Sequence, residues 1–125
     1  MYEVTLEADF AAAHQLRNYK GGEEPLHGHN FRVQVSVVAE GLDEAGMVVD
    51  FKDLERETRE VLGALDHQYL NKVPAFRQVS PSAENIARYL FEALSGRLRS
   101  PAVRLRRVTV FETERSSATY HGEGR

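Results

Sequence analysis

The sequence predicts a single α+β domain of order ββααββ, an antiparallel four-stranded sheet with two helices on one face. Three observations lead there. Apolar and polar residues alternate with period two near both ends of the chain. Two stretches between them repeat apolar residues at helical spacing instead. Runs of strands separated from runs of helices are the pattern of a sheet with its helices gathered on one side. A chain of 125 residues reads as one domain, 1–125, and buries roughly two-thirds of its unfolded surface, a core that needs no crosslinks.

The elements follow in order. Across Tyr2–Ala12, Tyr2, Val4, Leu6, Ala8 and Phe10 fall on one side and Glu3, Thr5, Glu7 and Asp9 on the other, a half-buried strand. Ala13–His29 then forms a connection of 17 residues, long enough to expect a functional role. Asn30–Glu40 alternates again, with Phe31, Val33, Val35 and Val37 opposite Arg32, Gln34 and Ser36; Gly41 and Gly46 break it. Asp50 is a good N-cap for a helix over Phe51–Ala64, whose stripe is Leu54, Thr58, Val61, Leu62 and Leu65. Ser80-Pro81-Ser82 starts the second helix, with either serine as cap and Pro81 in the first turn. Its apolar face is Ile86, Leu90, Ala93 and Leu94, and Gly96 ends it. Arg104–Glu112 returns to alternation with its phase blurred at Arg106, and Ser117–His121 is a short last strand. Open edges on such a sheet predict a homo-oligomer.

Composition narrows the function classes. The absence of cysteine excludes disulfides, thiolate zinc sites and a thiol nucleophile. Apolar runs are only a few residues long, as at Phe10–Ala13, so no membrane-spanning segment is expected. The acidic start MYEVTLEADF has no basic region of a signal peptide, and a cytoplasmic protein is expected. A net charge of −3 and a pI near 5.9 argue against a nucleic-acid partner. Arg97, Arg99, Arg104, Arg106, Arg107 and His121 accordingly read as solvated positions around a turn.

The chemistry-bearing residues cluster on the long connection. His27-Gly28-His29 enters a strand, where period two puts both imidazoles on one face, and Gly28 leaves room for an ion between them. If the first two strands pair, His14 lies at the same end. Three neutral imidazoles would then form a tripod that leaves the fourth position of a tetrahedral zinc ion open, the arrangement of a catalytic site. An isolated HxH is weak, and surface histidines are the competing explanation. Asp66-His67 offers a carboxylate to hold an imidazole's tautomer, but adjacent residues face one another only in an irregular turn; a helix C-terminus carrying a cationic histidine is the plainer reading. Glu112 ends an apolar strand. It is either an exposed strand-end acid or a carboxylate placed to accept two N–H donors from a guanidine-like heterocycle edge.

The ordered set Phe10-Ala11-Ala12-Ala13-His14, His27-Gly28-His29-Asn30-Phe31, Val49-Asp50-Phe51, Leu65-Asp66-His67-Gln68-Tyr69-Leu70-Asn71, Ser80-Pro81-Ser82-Ala83-Glu84-Asn85 and Phe111-Glu112-Thr113 resembles the 6-pyruvoyl-tetrahydropterin synthase / 6-carboxytetrahydropterin synthase family across essentially the whole chain. The resemblance implies the tunnelling fold, with sheets joined into trimeric barrels commonly stacked as hexamers. It implies that His14, His27 and His29 bind Zn2+. It further implies that Asp66 and His67 belong to the proton-transfer machinery, placed across a subunit boundary from the metal loop, and that Glu112 anchors the pterin ring. Ser82 and Ala83 would line the pterin pocket, where Ala83 lacks the hydroxyl usual in the family.

One departure bears on the reaction. Family members that make the pyruvoyl or carboxy pterin carry a cysteine four residues before the first histidine of HGH, and here that position is Glu23, with Glu24 beside it. The resemblance is then to the branch that cleaves dihydroneopterin or its triphosphate to 6-hydroxymethyl-dihydropterin, feeding folate synthesis; the family's common task, carboxypterin formation for queuosine, relies on the missing thiol. An ordinary glutamate is a weaker base than a cysteine thiolate by about four pKa units. It suits removal of a metal-acidified hydroxyl proton better than removal of a carbon-bound one. The alternative is a catalytically silent, metal-bound homologue that binds a pterin or purine-like ligand.

Overall fold

Strand β1, Tyr2–His14, pairs antiparallel with β2, His27–Ala39, over its whole length, from Tyr2 opposite Ala39 to His14 opposite His27. The computed structural model describes residues 1–98 and 100–122. Both strands run further than their alternation predicts, so the connection shrinks to residues 15–26. Inside it Tyr19 and Gly22 exchange backbone hydrogen bonds around a tight turn, in which Asn18, Lys20 and Gly21 take positive φ.

Helix α1 spans Phe51–Leu62 and is capped by Asp50, whose Oδ1 accepts the Lys52 N–H at 2.8 Å. It ends at Leu62 with Gly63 as its cap, two residues before the expected end. A two-residue strand β3, Gln68–Tyr69, follows and pairs parallel with Ala12 and Ala13 of β1. Helix α2, Ala83–Arg97, is capped by Ser82, whose Oγ accepts the Asn85 N–H at 3.2 Å. Pro81 therefore precedes the cap instead of opening the helix, and Gly96 is a helical residue. Strand β4, Arg104–Phe111, pairs with β2 on one side and with β5, Ser117–His121, on the other.

The sheet order is β3-β1-β2-β4-β5, five strands where four all-antiparallel ones were expected. Two residues are too few to show a period, which is why β3 left no trace in the alternation. The blurred phase at Arg106 is a β-bulge. Ser36 faces Arg107 and Val37 faces Leu105, leaving Arg106 as the extra residue.

Both helices pack on the face that carries Phe10, Phe31, Val33, Val35, Val108 and Val110, and they supply Leu54, Ile86 and Leu90 to the same core. The Phe10 and Phe31 rings stack with centroids 4.9 Å apart. The other face is polar and cross-linked. Thr5 and Ser36 share a hydrogen bond of 3.0 Å, Thr109 and Thr119 one of 2.7 Å, and Arg32 pairs with Glu7 at 2.9 Å while lying over the Phe111 ring. Two of the arginines expected around a turn are engaged. Arg107 pairs with Glu3, and Arg97 bridges Glu57 and Glu60 of the neighbouring helix; Arg99 lies outside the described residues. Among the described residues no helix is long and apolar enough to cross a membrane.

Ser82→Ala removes the oxygen that caps α2. Unfolding in urea should show a loss of about 1 kcal/mol, and an unchanged midpoint would mean that the Asn85 N–H finds another acceptor.

Candidate metal centre

The register that places His14 opposite His27 puts three imidazoles at one end of the helix-covered face. On β1 the core-facing residues are Ala8, Phe10, Ala12 and then His14; on β2 they are Val33 and Phe31, continuing outward to His29 and His27. The apolar stripe turns into a metal-ligand set without a change of phase. His14 is fully buried, and its ring packs edge-on against those of His27, His29 and Phe31. Gly28 lies on the opposite face, where an added Cβ would meet only the Ala12 carbonyl at 3.7 Å. The strand period, and not room left by Gly28, brings the two rings together.

Two of the rings have their tautomers fixed. His14 Nδ1 lies 2.7 Å from the Pro81 carbonyl and His27 Nδ1 lies 2.8 Å from the Pro25 carbonyl. A carbonyl can only accept, so each Nδ1 carries the proton and each Nε2 a lone pair. Those two Nε2 atoms are 3.1 Å apart. Two lone pairs at that distance repel unless a cation sits between them. The third ring agrees: His29 Nε2 is buried without a hydrogen-bond partner, although the Glu112 Oε2 lies 3.1 Å away. Burial holds the His29 pKa below its ordinary value, helped by the His27 and His14 rings and opposed by the charges of Glu112 and Glu24, which favours the neutral, metal-binding imidazole. The donor atoms of His14, His27, His29 and Glu112 all lie within 4.8 Å of one another. Three imidazoles and a carboxylate are a donor set that suits a divalent transition-metal ion.

The back wall of the site was not foreseen. Asn71 clamps the residue after His14, accepting the Gln15 N–H at 3.0 Å and donating to its carbonyl at 2.8 Å. Arg17 donates to the carbonyls of Asn71, Phe76 and Val79, and its N–H meets Ser80 Oγ. These bonds fasten the 15–26 connection to the segment before α2, and with it the Pro81 carbonyl that orients His14. Asn71 stood in a recognised motif; nothing in the pattern around Arg17 singled it out.

The two acids of the connection part company. Glu24 accepts the Leu16 N–H at 3.2 Å and sits 3.9 Å from His27 Nδ1. Glu23 is exposed.

Asp66 and His67 lie elsewhere. The chain leaves α1 through His67 at φ +61°, the irregular turn that lets neighbours face each other, with His67 Nδ1 3.2 Å from Asp66 Oδ2. Asp66 Oδ1 accepts the Ala11 N–H at 2.9 Å, and the His67 N–H donates to the Ala11 carbonyl. The Ala11 N–H first, and His67 second, hold the Asp66 carboxyl below the usual carboxylate range. The His67 side chain is 81% exposed. With Ala11, Ala13, Gly28, Asn30 and Tyr69 it lines a depression at this end of the β1–β2 pair, whose wall also includes His29.

Ser82 is engaged as the α2 cap and Ala83 is the first residue of that helix. Ser82 follows Pro81, whose carbonyl meets His14 Nδ1.

A helix-backed, mostly antiparallel sheet with a three-histidine cluster at one end defines an α+β protein with a cluster that could hold a metal ion. Residues 3–123 match the family model described as 6-pyruvoyl tetrahydropterin synthase, and the chain belongs to that family. The 6-carboxy-5,6,7,8-tetrahydropterin synthase of Synechocystis is 37% identical over 96% of this chain and 93% of its own. The dihydroneopterin monophosphate aldolase of Pyrococcus furiosus is 35% identical over 87% and 88%. The solved 6-pyruvoyl tetrahydropterin synthase of Caenorhabditis elegans superposes with a TM-score of 0.82 at 33% identity, over 98% of each chain. The fold is the tunnelling fold of these proteins.

Proposed function

We propose that the chain is a zinc-dependent pterin enzyme that cleaves the side chain of 7,8-dihydroneopterin, or of its phosphate esters, to give 6-hydroxymethyl-7,8-dihydropterin. The observation that carries the metal part is the pair of Nε2 lone pairs facing each other at 3.1 Å while both Nδ1 atoms serve carbonyls. Support for cleavage comes from the lack of any cysteine and from the aldolase among the relatives.

His14, His27 and His29 hold the ion. Bound zinc supplies a Lewis acid that makes a side-chain hydroxyl easier to deprotonate. Glu23 takes the proton of the second side-chain hydroxyl, Glu24 being committed to the Leu16 N–H. The bond between the first and second side-chain carbons then breaks, its electron pair passing into the ring's C=N system, and the two-carbon fragment leaves as an aldehyde. The His67–Asp66 pair of another copy returns a proton to the remaining side-chain carbon, and no oxidant or reductant is consumed. Glu112 accepts two N–H donors from the ring edge, and Ser82 and Ala83 flank the ring. With the His67–Asp66 pair taken from another copy, the active form is a homo-oligomer, a trimer or hexamer.

Mass analysis of products from dihydroneopterin, its monophosphate and its triphosphate tests this. The expected products are 6-hydroxymethyl-dihydropterin and glycolaldehyde or its phosphate ester. A 6-carboxy or 6-pyruvoyl product would overturn cleavage. Unchanged substrate with zinc-loaded protein would leave a silent pterin-binding homologue.

A further inference from the structure

We propose that Gln15 is a positioning residue for the base Glu23, a strut between the Tyr69 hydroxyl of β3 and the Glu24 carbonyl. The proposal rests on the reading of Glu23 given above and adds what holds that base in place.

Glu23 is exposed, so its place is set by its backbone and not by packing around its side chain. That backbone is fixed through its neighbour. The Glu24 N–H donates to the Leu16 carbonyl at 3.0 Å, and Glu24 Oε1 accepts the Leu16 N–H at 3.2 Å. Pro25 follows and has no N–H to give. The next anchor is the Glu24 carbonyl, which accepts from Gln15 Nε2 at 2.9 Å.

Gln15 is itself held at every polar group. Its N–H donates to Asn71 Oδ1 at 3.0 Å, and its carbonyl accepts from Asn71 Nδ2 at 2.8 Å. The Tyr69 hydroxyl donates to Gln15 Oε1 at 2.7 Å. A carbonyl only accepts, so the amide nitrogen of Gln15 must face Glu24 and its oxygen is left for Tyr69. Tyr69 is anchored in turn, because β3 pairs with Ala12 and Ala13 of β1. Two hydrogen bonds in series thus run from the edge of the sheet to the segment that carries the base. The strut moves no proton in the reaction; it fixes the backbone from which the Glu23 carboxylate reaches. Such placement matters, since a shift of about 1 Å in a reacting group costs about 10²-fold in rate.

Gln15→Met keeps the length of the side chain and removes both bonds. Its kcat should fall about 10–10²-fold, with KM and zinc content close to wild type. Tyr69→Phe removes only the far bond and should show a smaller fall of the same kind. The deciding comparison is made in the Glu23→Gln background. There Gln15→Met should cost nothing further in kcat, because a base that is gone cannot be misplaced. A merely structural glutamine would lower kcat by the same factor in both backgrounds. Urea unfolding shows whether each variant is folded, and Tyr69→Phe takes the place of Gln15→Met in the same comparison if the latter is not. Unchanged kcat in the folded single variants, or equal losses with and without Glu23, would overturn the proposal while side-chain cleavage stands. A Glu23→Gln protein as active as wild type, or a wild-type protein without turnover, would instead overturn the reading of the base, and the proposal with it.

Discussion

His14→Ala is expected to abolish zinc binding and turnover and to destabilise even the metal-free protein. The ring is fully buried, touches the Phe31 ring and donates from Nδ1 to the Pro81 carbonyl. Truncation removes a ligand, leaves a buried carbonyl without its donor and opens a cavity against the core. Together the last two should cost about 2–4 kcal/mol in urea unfolding of the metal-free protein. His29→Ala makes the useful contrast. Its Nε2 has no hydrogen-bond partner to lose, so this variant should also lose zinc but unfold close to wild type. Equal stability losses in the two variants would contradict the role given to the Pro81 carbonyl as a fixed support for His14.

The second large effect is at His67. Its replacement by alanine should lower turnover about 10²–10⁴-fold, the usual loss for a general acid–base group, and leave zinc content unchanged. The proposed mechanism takes the His67–Asp66 pair of each site from another copy. Mixing inactive His14→Ala with inactive His67→Ala protein, after dissociation and reassembly, should restore measurable turnover, since some sites then combine an intact metal set from one copy with an intact His67 from another. No recovery from mixed assemblies, with each variant shown to assemble, would mean that both groups serve a site within one chain.

Much of the fold was legible because strands and helices announce themselves by period. The alternation over Ala8–Phe10 and Phe31–Val37 and the stripe from Leu54 to Leu65 became the core face, with Val4 and Leu6 partly buried against it, while Tyr2, expected on the same side, is exposed at the strand's start. What escaped were features without a period. Gln68–Tyr69 is too short to alternate, and the extra residue Arg106 shows itself only when its partner strand is beside it. The histidine set was legible for a related reason. His14, His27 and His29 continue the apolar phase of their strands, so the same alternation that builds the core aims three imidazoles at one point. The supports of that set were not, since the Pro81, Pro25 and Phe76 carbonyls are backbone atoms whose partners depend on how two connections meet. Glu112 was read as a ring anchor from the end of its strand; that its oxygen also reaches His29 follows from sheet order, which periodicity does not give.

The claim on which the rest depends is that three imidazole nitrogens share one divalent ion. X-ray absorption at the zinc edge of the purified protein measures it directly. The account predicts one zinc per chain, with three histidine nitrogens and one oxygen at about 2.0–2.2 Å. A shell made only of oxygen, or fewer than three imidazoles at the ion, would contradict it.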